Sequence, residues 1–146
     1  MTMNRNLILG ALLLAACSHP LEPTFDPETG TYAVEFNADG NLLQRVVISS
    51  ASPAKNAVLT VTSTIYNAGV TRPITSRICG LDLEGLAMID TEPHCAGFSM
   101  QTNLATNDSI MQGDRRTITA AAGDYTLRVR HLLQPDRWVE LKLHVK

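Results

Sequence analysis

Apolar and polar residues alternate with a period of two along most of the chain after residue 31. Tyr32, Val34 and Phe36 alternate with Ala33 and Glu35. This is the spacing of a half-buried β-strand, whose successive side chains point to opposite faces. Asn37-Ala38-Asp39-Gly40 follows as a turn, because Asp and Gly supply the side-chain-bonded or left-handed conformations a turn needs. Residues 42–48 form a second apolar run, ended by Ser49-Ser50-Ala51-Ser52-Pro53. Residues 58–66 show the cleanest alternation. Leu59, Val61 and Ile65 face one way, and Thr60, Thr62, Thr64 and Tyr66 face the other. β-Branched residues suit such a pleated, half-buried surface.

Asn67-Ala68-Gly69 breaks that strand. Residues 74–83 predict another, with a change of phase near Gly80 that marks a bulge or bend. Residues 86–89 form a short apolar piece, and Phe98 and Met100 belong to a further one. Residues 115–120 predict a strand, and residues 121–124 turn the chain. Tyr125, Leu127 and Val129 then alternate with Thr126, Arg128 and Arg130. After a hairpin turn at 134–137, Val139, Leu141, Leu143 and Val145 alternate with Trp138, Glu140, Lys142, His144 and Lys146. No long segment carries helical spacing. Seven to nine short strands over residues 31–146 read as an all-β fold, an antiparallel β-sandwich of immunoglobulin-like type. Gly123-Asp124-Tyr125 fits a tyrosine corner, in which Tyr125 bonds back to the backbone as a structural residue.

Residues 1–17, MTMNRNLILGALLLAAC, follow a different pattern. A polar start carrying Arg5 precedes ten apolar or small residues, 7–16. That run is too short to span a hydrocarbon core about 30 Å thick. It has the length of the apolar segment of a secretory signal, with small residues before a cut. Leu14-Ala15-Ala16-Cys17 resembles the lipobox of bacterial lipoproteins. The resemblance implies removal of residues 1–16 as a signal peptide and acylation of Cys17, which becomes the N-terminus. It also implies a cell-envelope location, held to the membrane through lipid on Cys17. Ser18, where Asp would favour inner-membrane retention, implies the outer membrane, with the domain facing the periplasm. Residues 17–30 hold Pro20, Pro23 and Pro27 and predict an extended tether. The thirteen residues 18–30, at about 3.1 Å each, would reach roughly 40 Å.

Without residues 1–16 the chain has 11 Lys and Arg against 14 Asp and Glu, a net charge of −3. Nucleic acid is an unsuitable partner, because neutralising phosphates needs a basic face. Once Cys17 carries lipid, Cys79 and Cys95 remain as an even pair in an oxidising compartment, and the simplest reading is a disulfide. It would close a loop of about 15 residues, worth on the order of 3 kcal/mol. The alternative is a thiolate metal site with His94, but no C-x-x-C or H-x-x-x-H spacing accompanies it.

The stretches LTVTSTIYNAG, Pro73-Ile74 and GDYTLRVR resemble bacterial immunoglobulin-like modules. They are most similar to the domain family of the intracellular proteinase inhibitor BsuPI. The resemblance runs from about Ala57 to Arg130 and implies an immunoglobulin-like sandwich, with protease inhibition as an activity. The family's central aromatic- and Gly-rich stretch has no counterpart here, and Cys79 and Cys95 occupy that region. No inhibitory residue carries over.

Candidate chemistry is sparse. Ser52-Pro53-Ala54-Lys55 matches S-x-x-K, but that chemistry needs a Ser at a helix start, and this segment reads as a turn. His19 lies in the tether, while His131 and His144 are expected as cross-strand neighbours on the solvent side of the last hairpin. No nucleophile, base and orienting group assemble, so no catalytic residue, metal ligand or cofactor is expected. Charge is uneven, however. Residues 78–112 carry Asp82, Glu84, Asp90, Glu92 and Asp108 and no base, whereas residues 115–146 carry seven bases against three acids. Arg128 and Arg130 share a strand face, with Trp138 and Lys142 beside them. These four are the candidate partner-binding residues, either as a basic-aromatic patch or as a solvated face whose charges meet neighbouring acids. The expected function is a lipid-anchored envelope protein with a non-catalytic binding or structural module for an envelope partner. The alternatives are a BsuPI-type inhibitor and a small-ligand-binding lipoprotein with an interior cavity.

Overall fold

The computed structural model describes residues 24–26, 31–39, 41–77, 80–91, 99–130, 132 and 136–146. The expected signal peptide, Cys17, Cys79, His94, Cys95 and His131 lie outside these residues. Among the described residues there are eleven strands: β1 (Thr24–Asp26), β2 (Thr31–Asp39), β3 (Leu42–Ile48), β4 (Val58–Asn67), β5 (Arg72–Arg77), β6 (Leu83–Glu84), β7 (Met88–Asp90), β8 (Ser99–Leu104), β9 (Ser109–Ile118), β10 (Gly123–Arg130) and β11 (Trp138–Val145). The described residues include no helix. Three of the strands are only two or three residues long, and the other eight match the expected number.

Every paired neighbour is antiparallel. The large sheet runs β1-β2-β3-β4-β9-β7, a second runs β11-β10-β6, and β5 and β8 form a two-stranded ladder. The alternation seen in the sequence explains the packing. On β3 and β4, Val46, Ile48, Leu59 and Val61 face inward. They form one buried cluster with Leu127, Val129, Val139, Leu141, Leu143 and Val145 of β10 and β11. That cluster is the interior of an all-β sandwich, as expected. A second cluster, Leu42, Ile65, Ile74 and Leu104, lies where the β5–β8 ladder covers the other end of the large sheet.

Polar side chains lie between the two clusters. Gln44 and Ser63 are fully buried, and Gln44 Nε2 donates to Ser63 Oγ at 2.8 Å. Gln44 Oε1 accepts the Leu132 amide at 3.3 Å. Gln112, opposite Ser63 in the β4–β9 register, is also buried, and its Oε1 has no hydrogen-bond partner.

The chain passes from the large sheet to the β5–β8 ladder and back through residues 68–71 and 105–108. Asn67 holds both crossings. Its Nδ2 donates to the carbonyls of Val70 (2.9 Å), Leu104 (2.9 Å) and Ala105 (3.2 Å), and its Oδ1 accepts the Gly69 amide at 3.0 Å. The Ala68 amide bonds Asn41 O at 2.9 Å, which ties the β2–β3 turn to the same end. At the opposite end, the β3–β4 connection runs beside β11, with His144 N bonding Ala51 O and Lys146 N bonding Pro53 O. Ser52 to Lys55 therefore sit in irregular backbone, not at a helix start.

The strand over 74–83 resolves into two. β5 ends at Arg77, and residues 83–84 form β6 beside β10 instead. Gly80, at φ +68°, stands between them where the phase changes. The strand expected at 115–120 begins six residues earlier and is β9. Part of the expected tether also joins the fold, since Thr24–Asp26 pair with Thr31–Ala33 as β1.

Candidate binding face on the second sheet

The outward side of β10 and β11 is built from one cross-strand register: Arg130 opposite Trp138, Arg128 opposite Glu140, Thr126 opposite Lys142, and Asp124 opposite His144. Leu127, Val129, Val139, Leu141 and Leu143, which alternate with these residues, are buried. Core packing thus fixes which side chains reach solvent.

Arg128, Arg130 and Trp138 come together. The Cζ atoms of Arg130 and Arg128 lie 4.4 and 4.8 Å from the Trp138 ring centroid. Each such contact is worth about 0.5–1 kcal/mol at an exposed site. Acids hold both guanidinium groups. Arg130 Nε is 2.8 Å from Asp82 Oδ2, and Arg128 Nη1 is 3.3 Å from Glu84 Oε2, with Glu140 Oε1 at 3.9 Å from Arg128 Nε. These pairs are about one-third or more exposed, so each adds little stability. Their effect is to fix where the guanidinium planes sit.

Lys142 lies on the same face but apart from the stack, opposite Thr126. It borders an open groove of about 570 Å³ whose walls include Ala51, Tyr125 and His144. His144 Nδ1 meets Asp124 Oδ1 at 2.7 Å. This corrects the expected pairing of His144 with His131. The hairpin register puts His144 opposite Asp124, at the far end of β10 from Arg130. Tyr125 donates its hydroxyl to the Ala121 carbonyl at 3.0 Å, the bond back to the backbone that defines a tyrosine corner. Among the described residues, no group of three or more His, Cys, Asp or Glu could hold a metal ion.

The sequence groups the arginines with Trp138 and offers, as one of two readings, charges that meet acids on neighbouring strands; they do meet them, but the sequence does not say which acids. Asp82 and Glu84 reach the face through β6, a strand of two residues with no periodicity to read. Acids also brace the inner side of β9. Arg116 is 2.9 Å from Asp114 and 3.0 Å from Asp90 of β7, and it donates to Leu81 O at 3.2 Å.

The sheet order and the outward face define an all-β antiparallel sandwich with a charged, aromatic strand surface. Compared with known proteins, the chain matches no protein-family model and no curated protein.

Proposed function

We propose that this chain is a lipid-anchored protein of the bacterial cell envelope, attached through Cys17, whose sandwich is a non-catalytic binding or structural module. The surface assigned to the partner is the outward face of β10 and β11, with Arg128, Arg130, Trp138 and Lys142 as contact residues. The observation that supports this reading is the Arg128–Trp138–Arg130 stack, already held by Asp82 and Glu84. Trp and Arg are enriched among residues that dominate binding energy. Side chains ordered before binding lose less entropy on association.

Intact-mass analysis of the membrane fraction tests the anchor. The wild-type mass should fit residues 17–146 plus a diacylglycerol and an acyl chain, gaining two hydrogens on reduction, and Cys17→Ser should lose the lipid. Unmodified protein in the cytosol with free thiols would refute the reading. For the face, a photo-crosslinking residue at position 142 should give an envelope-protein adduct that Trp138→Ala abolishes while the fold is retained. An adduct indifferent to Trp138 would remove this surface from the proposal.

A further inference from the structure

The position of β1 changes how far the domain can stand from the membrane. Thr24 pairs with Ala33, so the sheet begins seven residues after Cys17. Seven residues span at most about 25 Å, well short of the reach of a thirteen-residue tether. Direction matters as well. β1 runs antiparallel to β2, from Thr24 opposite Ala33 to Asp26 opposite Thr31. The chain therefore enters β1 from the side where β2 ends at Asp39. From Ala33 to Asp39 is six residues, about 20 Å along the strand. Pro20 and Pro23 favour extended backbone over a sharp reversal at this point. A spacer that kept the direction of β1 would put Cys17 near the end formed by the β2–β3 turn and the Asn67 crossings.

We propose that this end of the sandwich rests on the headgroups of the bilayer that holds the Cys17 lipid. The proposal rests on the anchor proposed above. The composition of the end fits a headgroup layer. In the crossings, residues 68–71 and 105–108, Asp108 is the sole charged residue, and its Oδ1 already accepts the Ser109 amide at 2.8 Å; Asp39 at the turn and Arg72 at the start of β5 flank them with one charge of each sign. Val70, at the tip, is 80% exposed, and Met111, on the outward face two residues beyond the start of β9, is 71% exposed. A single exposed apolar side chain needs no explanation. These two lie at the one end that the spacer's length and direction bring to the lipid. The opposite end carries Lys55 and the C-terminal Lys146 and would face away, leaving the β10–β11 face open to the side.

The test uses full-length protein in membranes of the producing cells, with a photo-crosslinking amino acid in place of Val70 or, at the opposite end, Ala54. Intact mass first establishes that Cys17 carries lipid. The expected result is a several-fold excess of lipid adducts at position 70 over position 54. Lengthening the spacer after Ser18 by about 20 Gly/Ser residues, which adds roughly 25 Å of reach, should cut the adducts at 70 several-fold. Lipidated protein that labels lipid through position 54, equally through both, or through neither overturns the orientation and leaves the anchor standing. An adduct at 70 to a second copy of the chain also overturns it. Protein without lipid on Cys17 overturns the anchor itself.

Discussion

Replacing Asn67 tests whether the crossings between sheets depend on one side chain. Asn67 is fully buried. Its amide group donates to three carbonyl oxygens, and its carbonyl oxygen accepts one amide. Asn67→Ala removes the side-chain partner of the buried Leu104 carbonyl and of the Gly69 amide. At about 1–3 kcal/mol for each buried polar group left unsatisfied, the loss is on the order of 3 kcal/mol. That is a large part of the 5–15 kcal/mol typical of a domain. Asn67→Asp is the sharper variant. It keeps the shape and the bond to Gly69, but turns the donor into an oxygen facing three carbonyls and buries a carboxylate. At neutral pH it should cost more than Ala. Urea unfolding on a Cys17→Ser background, with the same thiol oxidation state throughout, measures both. With a slope near 2 kcal/mol/M, Asn67→Ala should lower the midpoint by about 1.5 M. Asn67→Asp tolerated better than Ala, or both variants unfolding with the reference, would refute the role given to Asn67.

Four further outcomes follow from the same structure. Gln112→Met should leave stability unchanged or raise it by up to about 1 kcal/mol, because Gln112 Oε1 is buried without a partner. Gln44→Met should cost about 1–2 kcal/mol, because it strips partners from Ser63 and the Leu132 amide. Calorimetry of the two variants side by side checks the contrast, and the reverse order would contradict it. Tyr125→Phe should lose about 1 kcal/mol with the bond to Ala121, read from the same scans. Gly85→Ala should cost about 2 kcal/mol or more: Gly85 sits at φ +86°, and an added Cβ would lie 2.2 Å from the Thr126 carbonyl oxygen. A melting temperature equal to that of the reference would show that β6 shifts to make room.

The strands legible in the sequence are those with one face in the core and one in solvent. β4, β10 and β11 have this character, and their alternation predicts which residues are buried, whereas β3 reads only as an apolar run and buries Gln44. The first half of β9 is hidden because its polarity is inverted: Met111 is exposed while Gln112 is buried. β5 contains Pro73 and the buried Ser76, and in β8 only Leu104 is buried, so neither shows apolar alternation. They are strands because their backbones pair with each other. β1 is three residues between prolines and exists through its register with β2. The candidate face divides in the same way. Alternation puts Arg128, Arg130 and Trp138 on one side of one hairpin, a local fact. Glu140 is part of the same hairpin, but Asp82 and Glu84, the acids nearest the guanidinium groups, lie more than 40 residues away along the chain, and only tertiary pairing brings them there.

That pairing also changes what the charge pattern means. Along the chain, an acidic middle precedes a basic end, which reads as a basic surface for an acidic partner. In the fold, β6 lies beside β10 and β7 beside β9, so the acidic segment is laid over the basic strands. Asp82 meets Arg130, Glu84 meets Arg128 and Asp90 meets Arg116. On the outward face Arg128, Arg130 and Lys142 are balanced by Asp82, Glu84 and Glu140. Charges balanced within a few ångströms produce little field beyond a screening length of about 8–10 Å. A partner for this face is therefore recognised at contact, by the Trp138 ring, the guanidinium planes stacked on it and the groove beside Lys142, and not drawn in from a distance by net positive charge. The acids that neutralise the arginines are the same groups that hold them in place, so the surface gives up long-range attraction and gains a fixed geometry.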